Sequence, residues 1–277
     1  MAVAEVPESE AEGKVKEIYG DIKDTLRLPF VPPVFRHVAA TPDYLIVARR
    51  ALKPNAQTLY FEREADRIRS EAARIMTQLG RPPAPDETAR PALRVLHYAA
   101  PKVFLSSAAL RLATAGELPR MQVLPLTQKQ QIKPGVPPEA ASVQLPAEDA
   151  APHLLSVVMD HHGRLPPSEE IVPASPSYLT AAWGAVEDAT LRAEYAQLLR
   201  TLHRLADVAV TALPYRMDIA PHVLRLCGLS ESQIDEIRAT LHQDTHEAAQ
   251  MVANVAYLAG AMEGAAAAES PFPAEVL

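Results

Sequence analysis

Two histidine groups stand out first. Asp160-His161-His162 sets a carboxylate beside two imidazoles, and His242 and His246 lie four residues apart. Imidazole is a common zinc ligand, so each group has to be weighed as a metal site. Neighbouring helical side chains point about 100° apart, which keeps His161 and His162 from gripping one ion. At a helix end their charge would instead complement the macrodipole. His242 and His246 do share a helix face, but only Glu247 or Asp244 stands near as a third ligand, and a solvated face is the favoured reading. No metal is assigned, and no cofactor. His97, next to Tyr98, ordinarily titrates near neutrality and so suits proton transfer, with core packing as the other reading. Glu169 and Glu170 follow Ser168 in a polar loop. Arg36, Arg49 and Arg50 offer guanidinium forks for a carboxylate or sulfate, unless Arg49 pairs with Asp43 or Glu62. The lone Cys227 follows Val223-Leu224-Arg225-Leu226 and is expected to be packed and inert. It excludes an internal disulfide and a multi-thiolate site. Glycine-rich phosphate loops, Gly-x-Ser-x-Gly elbows and dinucleotide fingerprints are missing.

These residues must be positioned by helices. Alanine and leucine recur at helical spacing between prolines, while β-branched and aromatic runs are nearly missing. The pattern predicts helices over 14–26, 43–53, 56–79, 93–115, 153–162, 177–189, 191–213 and 219–226. The longest begins at Ser230 and runs past Tyr257. Ser230 with Gln233 forms a capping box there, and Ile234, Ile237, Leu241, Ala248, Val252 and Val255 make its apolar stripe. Tyr178 and Trp183 would wall a pocket or fill core.

A weak repeat organises the chain. Lys16-Glu17-Ile18-Tyr19, Leu28-Pro29 and Thr41-Pro42-Asp43-Tyr44-Leu45 are echoed by Leu154-Leu155-Ser156, Leu165-Pro166 and Ser175-Pro176-Ser177-Tyr178-Leu179. The expected architecture is all-α: two pseudo-twofold-related helical repeats, 1–117 and 153–277, fused by a Pro-rich linker at 118–152, with a cleft between them. The linker's share of the 26 prolines makes it a semi-rigid strap. At 277 residues, 48% hydrophobic, the chain can bury a large core. A net charge of −7 argues against nucleic acid as partner. No apolar run reaches a spanning length and no signal segment opens the chain, so the expectation is a cytoplasmic protein with no membrane partner.

Several segments carry a resemblance. Val6-Pro7-Glu8-Ser9-Glu10-Ala11-Glu12-Gly13, Leu28-Pro29-Phe30-Val31, Pro42-Asp43-Tyr44-Leu45, Leu52-Lys53-Pro54-Asn55, Leu226 to Leu241 and Asn254-Val255-Ala256-Tyr257-Leu258 resemble the DL-2-haloacid dehalogenases of the DehI type. The resemblance implies an all-α fold of two repeats with the active site between them. It also implies halide displacement from a 2-halocarboxylic acid by an activated water, without a covalent ester, metal or organic cofactor. An aspartate ahead of the second tyrosine segment and an asparagine ahead of a Pro-Lys pair hold that water in the family.

Both positions depart here. Ala100 precedes Pro101-Lys102 where the asparagine would stand, and the interval from Pro166 to Pro176 is shorter than that from Pro29 to Pro42. Glu169 or Glu170 then stands nearest the place of the aspartate, with Ser168 beside them. Thr58 and Glu62 match the family's threonine and glutamate one turn apart. Arg49 stands where the second repeat has Trp183, an expected cleft position, and His97-Tyr98 lies on a helix that the family aims at the cleft. Without the amide, a water loses one anchor. The preferred reading is displacement of halide, sulfate or phosphate at a saturated carbon of a small carboxylate or amino-acid-derived substrate, with an amine of the substrate itself attacking to close an aza-ring, as in secondary metabolism. The alternatives are a hydrolytic dehalogenase using Glu169 or Glu170, and a binding homologue without chemistry. The partner is a small anionic organic substrate, free or presented on a carrier protein, and a homodimer is the expected assembly.

Overall fold

The computed structural model describes residues 5–119, 129–143 and 176–277. Within them the chain is helical: α1 (Gly13–Leu26), α2 (Pro33–Val38), α3 (Pro42–Ala56), α4 (Leu59–Met76), α5 (Ala89–Ala115), α6 (Pro138–Ala141), α7 (Pro176–Thr190), α8 (Ala193–Thr211), α9 (Pro221–Leu226) and α10 (Glu231–Glu263). The described residues form no strand, only the isolated bridges Thr58–Gln131 and Ile132–Val276. The all-α expectation is thus borne out. The predicted helix at 153–162, the Asp160-His161-His162 group, Ser168, Glu169 and Glu170 lie outside the described residues.

Local chemistry explains most boundaries. Pro33, Pro42 and Pro221 open their helices at the first position, where no N–H is needed. The predicted 56–79 helix is corrected at its start: α3 runs on to Ala56, Gln57 breaks it, and Thr58 caps α4. Thr58 Oγ1 accepts from the amide of Phe61 at 3.2 Å, the usual N-cap bond. Gly116, at φ +75°, ends α5 by returning its own N–H and that of Glu117 to the last turn.

The two longest helices, α5 and α10, pack on each other more extensively than any other pair, and α4 and α8 close the sides. Ala99, Ala100, Ala108 and Ala109 on α5 and Ala248, Ala249, Ala253 and Ala256 on α10 are buried, which permits a close approach. Residues 129–133 bind the α3–α4 junction and the C-terminus by backbone bonds, Leu59 N to Gln130 O at 2.8 Å and Lys133 N to Glu275 O at 2.9 Å among them. One continuous apolar cluster joins residues from Ala11 to Phe272. No described helix is long and apolar enough to cross a membrane.

Cys227 corrects the sequence reading. It is exposed, because the six-residue α9 buries only Leu224 and turns Leu226 and its C-cap cysteine outward. The capping box holds: Gln233 N donates to Ser230 Oγ at 3.3 Å, and Ser230 N to Gln233 Oε1 at 3.0 Å. Ser230→Ala is expected to cost about 1 kcal/mol, a loss of about 2–4 °C in Tm measured by thermal unfolding.

Candidate active site

Glu62 sits one turn into α4, where the helix N-terminus favours a negative charge. Lys102, on α5, reaches the other end of a dipole. Its Nζ donates to the carbonyl of Leu26, the last residue of α1, at 3.0 Å. It also donates to Glu62 Oε1 and, at 2.6 Å, to Tyr98 Oη. Three donors thus meet three acceptors, and a C-terminal and an N-terminal helix end of matching polarity frame the ion pair. Lys102, Glu62 and Tyr98 are all buried. Burial pushes the Lys102 amine down to about 8, although Glu62 pulls the other way. Burial and the Glu62 charge hold the Tyr98 phenol above its ordinary value, so it stays protonated.

The Pro-Lys pair has a backbone consequence. Pro101, inside α5, has no N–H to give the carbonyl of His97. Arg69 of α4 takes over: its Nε donates to His97 O at 3.1 Å and its Nη2 to Tyr98 O at 3.4 Å, while Nη1 pairs with Asp66. Arg69 is 1% exposed, so its guanidinium belongs to the interior of the α4–α5 contact.

Arg27 completes the cluster. It is the only non-glycine among the described residues with a positive φ, at 60°. Its Nη1 lies 3.8 Å from Glu62 Oε1, its Nη2 donates to Pro273 O at 3.3 Å, and its Cζ stands 5.9 Å from the Tyr98 ring centre. A side chain kept at a glycine position, with a strain of about 1–3 kcal/mol, points to a role for that side chain.

The other candidate residues fall in different places. Thr58 is buried; beside its capping bond, its hydroxyl donates to Asn55 O at 2.6 Å. Ala100 is buried in α5, a methyl with no hydrogen-bonding group to offer. The His97 ring turns away from the Lys102 group to the carbonyl of Ala267, 2.7 Å from Nε2. Burial, with Arg69 nearby, pushes it down to about 4, so it is neutral at neutral pH. Arg49 does not pair with Asp43 or Glu62: its Nε reaches Asp21 Oδ2 at 2.5 Å, and Lys53 takes the other oxygen at 2.5 Å. Arg36 lies 3.5 Å from Glu5, and Arg50 is exposed. Tyr178 and Trp183 of α7 are buried in the core cluster. His246 stacks on His203 with centroids 6.0 Å apart, and His203 meets Phe104 edge-on. Among the described residues no group of three or more His, Cys, Asp or Glu is arranged to hold a metal ion.

Lys102, Arg69 and Arg27 escaped the sequence reading as site residues. For Arg69 a signal was present: Glu62 and Arg69 fall on the same face as Ala65, Ile68, Ala72 and Met76, which marks two charges on a buried stripe. Arg27 had none, since its backbone conformation is visible only in three dimensions.

No family model matches the chain. An (R)-2-haloacid dehalogenase of Pseudomonas putida is 26% identical over 263 residues, covering 84% of this chain and 83% of its own. A configuration-inverting 2-haloacid dehalogenase of Pseudomonas sp. (strain 113) is 38% identical over 68 residues, 24% of this chain and 22% of its own. The crystal structure of a D-2-haloacid dehalogenase mutant superposes with a TM-score of 0.71 at 24% identity, covering 94% of this chain and 96% of that one. A complex of D-2-haloacid dehalogenase with L-LA gives 0.70 at 23% identity over 93% and 95% of the two chains. In sequence and in fold this chain is similar to the 2-haloacid dehalogenases, as a strongly diverged relative of them.

Proposed function

We propose that the protein is an enzyme of the dehalogenase fold that displaces a leaving group, a halide in the relatives, from a saturated carbon of a small carboxylate. The (R)-2-haloacid dehalogenase similar to it over 84% of this chain supports the reaction class, and a D-2-haloacid dehalogenase of the same fold has been captured with D-2-CPA. The cation-rich group of Lys102, Arg27 and Arg69 around Glu62 suits an anionic substrate and a departing anion. Two fused repeats, 1–117 and 153–277, remain our reading of the architecture, in keeping with the pairing of the long helices α5 and α10.

The finer proposal concerns the attacking atom. Ala100 is the observation that carries it: the residue before Pro101-Lys102 is a buried methyl, so no amide can pin a water from there. An amine within the substrate needs no such anchor, and folding the substrate onto its own carbon supplies the proximity that catalysis requires. The enzyme would then close an aza-ring, with the amine nitrogen bonding to carbon, the carbon–halogen bond breaking to free halide and the nitrogen losing one proton to solvent. The second reading is hydrolysis with Glu169 or Glu170 as base, favoured by the activity of the relatives.

The purified protein should release chloride from 2-amino-4-chlorobutanoate with formation of a four-membered aza-ring, and be slower by about a hundredfold or more on 2-chloropropionate. Faster chloride release from 2-chloropropionate would overturn the amine in favour of water. Release from neither would overturn displacement altogether.

A further inference from the structure

A cavity of 680 Å³ lies between the α1–α2 turn, α5, the segment around Gly135 and the C-terminal segment. Arg27, Arg94 and Lys133 line it, with Glu139 and Glu275, and Phe272 and several prolines give it apolar walls. Gly135, at φ +100°, turns the chain there and bonds its N–H to Asp24 O at 2.9 Å, while Pro134, Pro137 and Pro138 stiffen the wall. Volume and lining are those of a pocket for a small organic molecule.

Arg27 joins this cavity to the ion cluster behind it, where charge is unbalanced. Lys102, Arg27 and Arg69 bring three positive charges together, against the carboxylates of Glu62 and Asp66. Asp66 belongs to Arg69, and Glu62 is shared between Lys102 in direct contact and Arg27 at 3.8 Å. Arg27 is 7% exposed, and its Nε and Nη1 have no hydrogen-bond partner among the described residues. A buried guanidinium so poorly matched is costly without an anion. At the rim, Glu275 is already 3.4 Å from Lys133, and Arg94 lies 5.7 Å from the Phe272 ring centre.

We propose that this cavity is a binding site for a small organic carboxylate, its head on Arg27 with Arg94 and Lys133 beside it, and its apolar body against Phe272 and the prolines. A guanidinium satisfies a carboxylate geometrically as well as electrically. The strained backbone of Arg27 fits this role, since glycine would suit the turn and only the side chain justifies the residue. Pro273, which accepts from Arg27 Nη2, would have to yield or share that donor as the ligand seats. The assignment does not depend on the reaction proposed above, because binding is read with an acid that has no leaving group.

The test is calorimetric titration of the full chain with 3-phenylpropionate, alongside its neutral primary amide. Wild-type protein should bind the acid at least about tenfold more tightly than the amide, the worth of one charge-assisted bond. Arg27→Gly, which relieves the positive φ and so leaves the backbone unstrained, should weaken acid binding by about tenfold or more and leave the amide unaffected. Lys133→Ala, at the exposed rim, should weaken it several-fold. Equal binding of acid and amide, undiminished binding in Arg27→Gly, or chloride displacing the acid at equal concentration would each overturn the assignment.

Discussion

Replacing Glu62 by leucine is expected to destabilise the protein by about 3–5 kcal/mol, read as a lowered urea midpoint. The loss comes from what stays behind. Glu62 is the carboxylate facing both Lys102 and Arg27, so its removal leaves two buried cations with neutral acceptors only: Leu26 O and Tyr98 Oη for Lys102, and Pro273 O for Arg27. The double variant Glu62→Leu, Lys102→Met should recover most of the stability, because well-packed apolar groups replace a buried pair at little cost. The cycle then returns a coupling of about 2–3 kcal/mol between the two positions. Additive single effects would mean that the pair is solvated in practice and that the buried cluster is not what joins α4 to α5.

The second large effect is on pH. His97 is neutral in the fold, held down to about 4 by burial first and by Arg69 second, whereas in the unfolded chain it titrates near 6.5. The unfolded state therefore binds more protons between these values, so stability is fully present above pH 6.5 and falls as the pH drops towards 4. A shift of that size corresponds to about 3 kcal/mol. His203 is lowered as well, by burial and by His246, and adds to the same limb. His37 acts in the opposite sense. Despite burial, its hydrogen bond to Asp244, 2.6 Å, raises it, so its contribution is present below 6.5 and fades as the pH rises through the raised value. Urea unfolding of wild type and His97→Gln from pH 7 to 4.5 separates these. The variant, whose amide can still donate to Ala267 O, should lose much of the acid slope. Parallel slopes in the two proteins would place the acid sensitivity elsewhere.

Helices were legible where composition and punctuation agree. The α5 C-terminus at Gly116, the capping box at Ser230 and the apolar stripe of α10 all follow from local rules that tertiary structure did not override. The α3–α4 boundary was expected about three residues too early, at Pro54, which the fold instead carries inside the last turn of α3. A single threonine hydroxyl, whose capping partner lies three residues on, separates the two helices. The short α2 was missed because Pro32-Pro33 reads as connector, although proline at a first helical position is as much an opening as a break. Of the site, Glu62 and Tyr98 were named and come together, whereas Lys102 was noticed only as a landmark beside Ala100. Ion pairing across 40 residues of sequence has no periodic signature. Arg49 shows the reverse failure: matching it to Trp183 suggested a cleft position, and Asp21, on the neighbouring α1, claimed it instead.

Pro101 finally ties the mechanics of two helices together. By withholding one amide hydrogen it hands the upkeep of the His97 carbonyl to a side chain rooted in α4. Neither α4 nor α5 can then slide along the other without stranding an oxygen in a dry interior. The acid on one helix and the amine on the other are thus locked in register by a strut rooted in α4 and fastened to the backbone of α5, and any substitution at Arg69 would be felt as play between them.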